Sequence, residues 1–267
     1  MKPEQMTVLL TGANGGIGSA LASELAQAGA SLYLTDRDQA SLDQLATQLR
    51  RQAREGQFIE AHALDLQNES AFDDWIQSMD ATRPVNVLVN NAGISRFELF
   101  ERQTTQDIEL IMSLNTIVPM KLARKLLPML KQQPRARIVN IASTFGALGF
   151  PGYSVYSASK YSIRGFSEAL ARELADTDIS VGCFLPRATQ TAINTSNVVE
   201  MNRAMKVAMD PPQRVARALM AFIASNRSQQ AFGWPEKLLV HINALFPALV
   251  SNGLRKKLPL IKRFAAA

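Results

Sequence analysis

The first thirty-five residues decide what kind of fold is open to this chain. An apolar run, MTVLLT at 6–11, leads into TGANGGIG at 11–18. SALASELAQAGA follows with apolar residues at helical spacing, and ASLYLT at 30–35 is a second apolar run. Short buried strand, glycine turn, amphipathic helix and second strand make a β-α-β unit. Strands apolar on both faces belong to a parallel sheet that helices cover on either side. The alternation continues. A helix over about 38–54 leads to FIEAHALDL (58–66), VNVLVNNAG (85–93) is a fourth strand, and a helical stretch covers about 105–131. RIVNIAS (137–143) and ISVGCFLP (179–186) are the fifth and sixth strands. The pattern predicts an α/β fold: a Rossmann-type doubly wound parallel sheet with helices on both faces, in one domain with a C-terminal extension.

The glycine turn suggests a ligand. The strict G-x-G-x-x-G fingerprint is absent, but Gly12, Gly16 and Gly18 form G-x-x-x-G-x-G between a strand and a helix. Glycines there let backbone approach a pyrophosphate at the helix N-terminus, with Asn14 and Ile17 in the same loop; the competing reading is a turn that binds nothing. Asp36 ends the second strand, 18 residues after Gly18, where a carboxylate can accept hydrogen bonds from an adenosine ribose. A 2′-phosphate would meet that carboxylate, which favours NAD, while the adjacent Arg37 keeps NADP possible. Asp65, followed by Leu66, either accepts from the adenine amino group or caps the next helix. Asn91, Ala92 and Gly93 close the fourth strand, where asparagine can pin a turn and small residues leave room for a flat ring.

The chemistry-bearing stretch is STFGALGFPGYSVYSASK, 143–160. A four-residue spacing puts Tyr156 and Lys160 on one face of a helix, one turn apart. The ammonium is expected to lower the phenol pKa from its usual value of about 10 and make tyrosine a usable acid or base. Ser143 could hydrogen-bond the oxygen that gains or loses the proton. Asn115 lies mid-helix in an apolar setting, and Pro119 cannot donate to its carbonyl. That predicts a kinked helix with a hydrated asparagine, or alternatively a satisfied core amide.

Bulk properties exclude several classes. With 47% hydrophobic and 19% charged residues the chain is globular and not disordered. Its single cysteine, Cys183, sits in an apolar strand and reads as core, and one cysteine forms no intrachain disulfide, which fits a reducing, cytoplasmic setting. The N-terminus has no apolar leader, and no apolar run reaches membrane-spanning length. His62 has no partners at metal-ligand spacing, so no metal is expected. The net charge of +6 is concentrated at the end, where Arg255, Lys256, Lys257, Lys262 and Arg263 stand with no acid between Ser251 and Ala267. Without a recognition motif, this does not indicate nucleic acid.

TGANGGIG, NNAG, Asn115, Ser143 and YSASK together resemble the short-chain dehydrogenase/reductase family over roughly residues 6–235, in its order and spacing. The resemblance implies an NAD(P)-dependent oxidoreductase that interconverts a secondary alcohol and a ketone. Tyr156 would be the general acid/base. Lys160 would tune it and bind the nicotinamide ribose, Ser143 would polarise the carbonyl, and Asn115 would hold a water linking Lys160 to solvent. Pro186 and Thr191 would contact the nicotinamide end. Phe97, Phe145, Tyr153 and Ile193 fall where the family builds its substrate pocket, implying an apolar acyl-chain or steroid-like substrate. Family habit implies a homodimer or homotetramer through the helices around 105–131 and 156–175. The rival reading is a catalytically silent dinucleotide sensor or a membrane-associated binding module.

Two departures stand out. Arg187 replaces the glycine that usually follows Pro186, which puts the local backbone in question. The usual Gly-rich seventh strand is expected to be replaced by QQAFGWPEK and a further thirty residues. The domain is therefore drawn at 1–235 and an apolar and basic extension at 236–267. Within it LLVHINALFPALV (238–250) either packs over the substrate cleft or a subunit interface, or joins the basic tail in peripheral membrane contact. The stretch 187–210 reads as a mobile lid.

Overall fold

The computed structural model describes residues 1–265, so Ala266 and Ala267 of the predicted extension lie outside the described residues. Seven strands form one parallel sheet: β1 (Thr7–Thr11), β2 (Ser31–Asp36), β3 (Ile59–Ala63), β4 (Val87–Asn90), β5 (Ala136–Ile141), β6 (Ile179–Leu185) and β7 (Gln229–Ala231). Their spatial order is β3-β2-β1-β4-β5-β6-β7. The direction of winding reverses between β1 and β4, and in such sheets the crevice beyond the carboxyl ends of those two strands is where ligands bind.

The helices are α1 (Gly16–Gln27), α2 (Gln39–Arg50), α3 (Glu69–Ser78), α4 (Thr105–Met112), α5 (Val118–Lys131), α6 (Ser154–Glu173), α7 (Ser196–Ala204), α8 (Pro212–Ala224), α9 (Glu236–Leu245) and α10 (Pro247–Ala265). They cover both faces. One core layer joins Val8, Leu10, Leu32 and Leu34 of the sheet to Leu21 and Leu25 of α1 and Leu219 and Phe222 of α8. The opposite layer joins Leu9, Leu88 and Ile138 to Leu122 and Leu126 of α5 and Leu170 of α6. Every residue of β4 and β5 is buried, which accounts for their mostly apolar sequence.

Two expectations need correction. The seventh strand is not replaced: Gln229–Ala231 pairs in parallel with Cys183–Leu185 and closes the sheet edge. Three residues, two of them glutamine, carry too little pattern to read as a strand, and β6 supplies the ladder. The long helix around 105–131 is two helices joined by a π-helical turn, Ser113–Ile117. Thr104 and Asp107 form a reciprocal capping box that starts the first of them.

A polar chain crosses the second core layer. Asn90 on β4 donates to Asn140 on β5 (2.8 Å), Asn140 donates to Ser167 on α6 (2.8 Å), and Ser167 donates to the Ile163 carbonyl. All three side chains are buried, so α6 is tied to the two central strands by bonds that water does not compete for.

Candidate active site

The crevice holds the predicted glycine loop. The N-terminus of α1 opens on it with Gly15 as cap and no side chain capping it. A Cβ on Gly18 would lie 2.0 Å from the Gly12 carbonyl oxygen, so only glycine allows the loop to fold back on the helix. Gly18 does not itself line the cleft; it closes the loop from behind. Asn91 pins the loop as predicted, donating to the carbonyls of Thr11 (3.1 Å) and Gly12 (2.9 Å). Uncapped helix N–H groups and a side-chain-free approach fit a dinucleotide pyrophosphate.

Asp36 sits at the carboxyl end of β2. One carboxylate oxygen accepts from the Asn14 backbone (3.0 Å), the other from the Arg37 backbone (2.8 Å). The carboxylate is thereby fixed at the cleft wall, and Arg37, Asp65 and Leu66 line the same end. Asp65 does not cap α3, which begins at an Asn68 cap; its side chain accepts from the Gln67 backbone in a local turn. Ala92, Gly93, Pro186 and Thr191 line the middle of the cleft.

Ser143, Tyr156 and Lys160 come together in that cleft. Ser143 follows β5 and caps the short turn Thr144–Gly146, its hydroxyl accepting from the Phe145 N–H (3.1 Å). Tyr156 and Lys160 share a face of α6. Lys160 is buried, and its Nζ donates to the Ile141 carbonyl (2.9 Å). Burial lowers the Lys160 pKa to about 8. The Tyr156 phenol is pushed up to about 12 by burial, against the pull of the Ser143 hydroxyl, although the cleft keeps part of the ring accessible. The expected lowering of this phenol is therefore absent in the protein alone. Desolvation sets the direction, and the Lys160 Nζ is directed to Ile141, 5.7 Å from the ring centroid.

Asn115 stands behind the cleft in the π turn, 1% exposed. Its Oδ1 accepts from the Ile94 N–H (2.9 Å), and its Nδ2 donates to the Ile94 carbonyl (2.9 Å) and Ser159 Oγ (3.0 Å). Of the two alternatives, the satisfied core amide is the arrangement found. Thr116 donates to the Ser159 carbonyl, and Ser159 Oγ donates to the Tyr156 carbonyl (2.7 Å). The π turn thus grips α6 between its two site residues.

Beyond Tyr156 the cleft, about 840 Å³ in all, becomes apolar. Phe145, Tyr153 and Ile193 line it, but Phe97 does not. The Phe97 ring packs behind Tyr153 at 5.0 Å and against Gly152, where a Cβ would lie 2.4 Å from it. The remaining wall includes Leu239 and Ile242 from α9 and Leu249 and Val250 from α10, so 238–250 packs over the cleft, one of its expected placements. Val198, Met201 and Met205 from α7 and the loop after it, and Leu254 from α10, were not singled out by sequence spacing. The helical periodicity of 238–258 was the available signal.

Arg187 resolves differently from expectation. Its guanidinium takes both carboxylate oxygens of Asp210 (2.6 and 3.1 Å), Glu236 of α9 (3.0 Å) and the Trp234 carbonyl. Gly233, at φ +101°, makes room for it: a Cβ there would lie 2.3 Å from Arg187 Cδ. The pairing raises the Arg187 pKa and lowers that of Asp210. Asn243, further along α9, donates to the Ala147 carbonyl (2.9 Å), so the helix is fastened to the site at both ends.

Comparisons with known proteins agree with this geometry. A family model described as short chain dehydrogenase matches residues 6–202. The chain is 34% identical to the ketoacyl reductase HetN of Nostoc sp., over 84% of this chain and 77% of that protein. It is 28% identical to the 3-oxoacyl-[acyl-carrier-protein] reductase FabG of Thermotoga maritima, over 87% and 96%. Among solved structures, a short-chain dehydrogenase from Sphingobium yanoikuyae in complex with NADPH aligns with a TM-score of 0.75 and 32% identity, over 95% of this chain and 94% of that one.

Removing the guanidinium would leave Asp210, 2% exposed, with Arg214 as its remaining cation. Arg187→Ala should cost about 3–5 kcal/mol in urea unfolding. The Arg187→Ala/Asp210→Ala pair should cost less than the sum of the single changes. Additive losses would show that the pair is not coupled.

Proposed function

The chain belongs to the short-chain dehydrogenase/reductase family and is an NAD(P)-dependent oxidoreductase; within that class we propose that it reduces a ketone on an apolar, acyl-chain or steroid-like molecule to a secondary alcohol. The observation that carries this is the meeting of Ser143, Tyr156 and Lys160 where the glycine-loop arm of one cleft joins its apolar arm. A reduced nicotinamide held by the glycine loop, Asp36 and Lys160 would supply the hydride that the carbonyl carbon needs. Tyr156 supplies the proton to the carbonyl oxygen, and a phenol held near pKa 12 stays protonated, ready to donate, throughout the neutral range. The Ser143 hydroxyl, placed beside that phenol, donates to the same oxygen as negative charge develops there. Lys160 would hold the nicotinamide ribose, and it keeps a positive charge beneath the site below about pH 8. Asn115 sets the position of α6 through Ser159 and does not touch the reacting atoms.

An acyl ketone agrees with the names of the ketoacyl and 3-oxoacyl reductase relatives. The apolar arm, with Phe145, Tyr153 and Leu239 among its walls, suits a hydrocarbon chain better than a sugar. In a series of ketones, kcat/KM should rise with chain length; equal or better turnover of polar polyols would refute the apolar reading.

Tyr156→Phe should retain NAD(P)H binding and lose about a hundredfold or more in turnover. For the unaltered protein, kcat/KM for reduction should hold below about pH 8 and decline above it as Lys160 loses its proton. Undiminished turnover by the phenylalanine variant would identify another acid.

For the cofactor we favour NAD, because the fixed Asp36 carboxylate leaves a 2′-phosphate facing negative charge. NADH should bind about tenfold or more tightly than NADPH, a difference that Asp36→Ala narrows. Tighter NADPH binding by the unaltered protein, as in the Sphingobium complex, would assign the preference to Arg37 instead.

A further inference from the structure

The corner between α9 and α10 exposes large apolar side chains. Leu245 is 73% exposed, Phe246 62% and Leu249 65%, with Trp234 nearby in sequence at 67%. After Glu236 the chain contains no acid, whereas Lys237, Arg255, Lys256, Lys257, Lys262 and Arg263 are exposed cations. Glu236 faces inward to Arg187, and among the described residues none of the six cations has an ion-pair partner.

Helical spacing sorts α10 into two sides. Leu254, Leu258, Ile261 and Ala265 form the inner row, and Ile261 packs with Val198 and Met201 of α7. Leu249, Lys256 and Arg263, seven residues apart, form an exposed outer row with Arg255 and Lys262 beside it.

We propose that this side of the protein docks on an anionic lipid bilayer, with Leu245, Phe246 and Leu249 entering the acyl boundary and the cation row lying against headgroups. Charge selects this occupant. A symmetric contact with a second copy would set the acid-free row against its own image, whereas anionic headgroups complement every cation in it. No helix among the described residues is long and apolar enough to cross a membrane, so the attachment is peripheral. Leu249 is both exposed and a wall of the cleft, which puts the mouth of the cleft at this corner. A docked protein receives its apolar substrate from the bilayer without passage through water. That last step rests on the substrate reading above; the docking does not.

The test uses the full chain with vesicles of phosphatidylcholine alone and of phosphatidylcholine mixed with phosphatidylglycerol. The protein should sediment with the mixed vesicles only and be released by salt. Emission from Trp234 should shift to the blue, Trp75 being buried already. Leu245→Glu/Phe246→Glu and Arg255→Glu/Lys256→Glu should each lower the vesicle partition coefficient about tenfold or more, with circular dichroism and NADH binding unchanged. No sedimentation, equal binding to neutral vesicles or undiminished binding by either variant would overturn the proposal. So would dissociation of an oligomer by Leu245→Glu/Phe246→Glu in a protein that binds no vesicle, which would make the corner a contact between copies. Vesicle binding is read without turnover, so an inactive enzyme that docks would refute the reductase reading and leave this one standing.

Discussion

The site depends on one buried amide. Asn115 is bonded on both sides of its carboxamide to Ile94, in the segment that follows β4, and to Ser159 on α6. Leaving such a group without partners in an apolar layer costs on the order of 1–3 kcal/mol, so the amide strongly favours the one arrangement that satisfies it. That arrangement fixes α6 in rotation and height against the end of β4. Tyr156 and Lys160 then fall opposite Ser143 without any direct bond among the three having to hold them. The π turn widens the helix at this point and lets Asn115 and Thr116 reach Ser159 together.

Burial pulls the two titrating side chains of α6 toward each other. It raises the phenol to about 12 and lowers the ammonium to about 8, because a low-dielectric setting disfavours each charged form. In the protein alone the stable state at neutral pH is a neutral phenol above a lysine that is still charged, which is the state a proton donor needs. The reverse reaction requires the phenol to give up its proton first, which burial opposes and the Ser143 hydroxyl assists.

What could be read from the chain was whatever repeats or stands close in sequence. The β-α-β alternation, the glycine turn and the Tyr156–Lys160 spacing rest on local periodicity, and Pro119 marks the place where the helix near Asn115 departs from regular α geometry. Other features depend on contacts across the fold. Spacing puts a cation beside Tyr156 but carries no information on burial, so the direction of its pKa was misjudged. Phe97 belongs to the right cluster yet stands one ring behind the cleft, since Tyr153 takes the place in front. β7 is three residues on an edge that β6 creates. The partners of Arg187 lie 23 and 49 residues away, beyond the range of any motif.

Arg187 also shows how a fold can absorb a departure from pattern. Where the family keeps a glycine, a long cation would be expected to crowd the nicotinamide end of the cleft. Here the side chain runs past Gly233 into a carboxylate pair supplied by the segment before α8 and by the first turn of α9. Asp210 in turn pairs through its backbone with Ala188 and Gln190, in the loop that carries Thr191 to the glycine turn. The same ion cluster therefore ties the loop at the cofactor end to the helix that walls the substrate end. With Asn243 bonded to the turn after Ser143, α9 is held from both arms of the cleft. The first turn of α9 is in this sense built into the wall of the cleft, and the arginine is the residue that anchors it there.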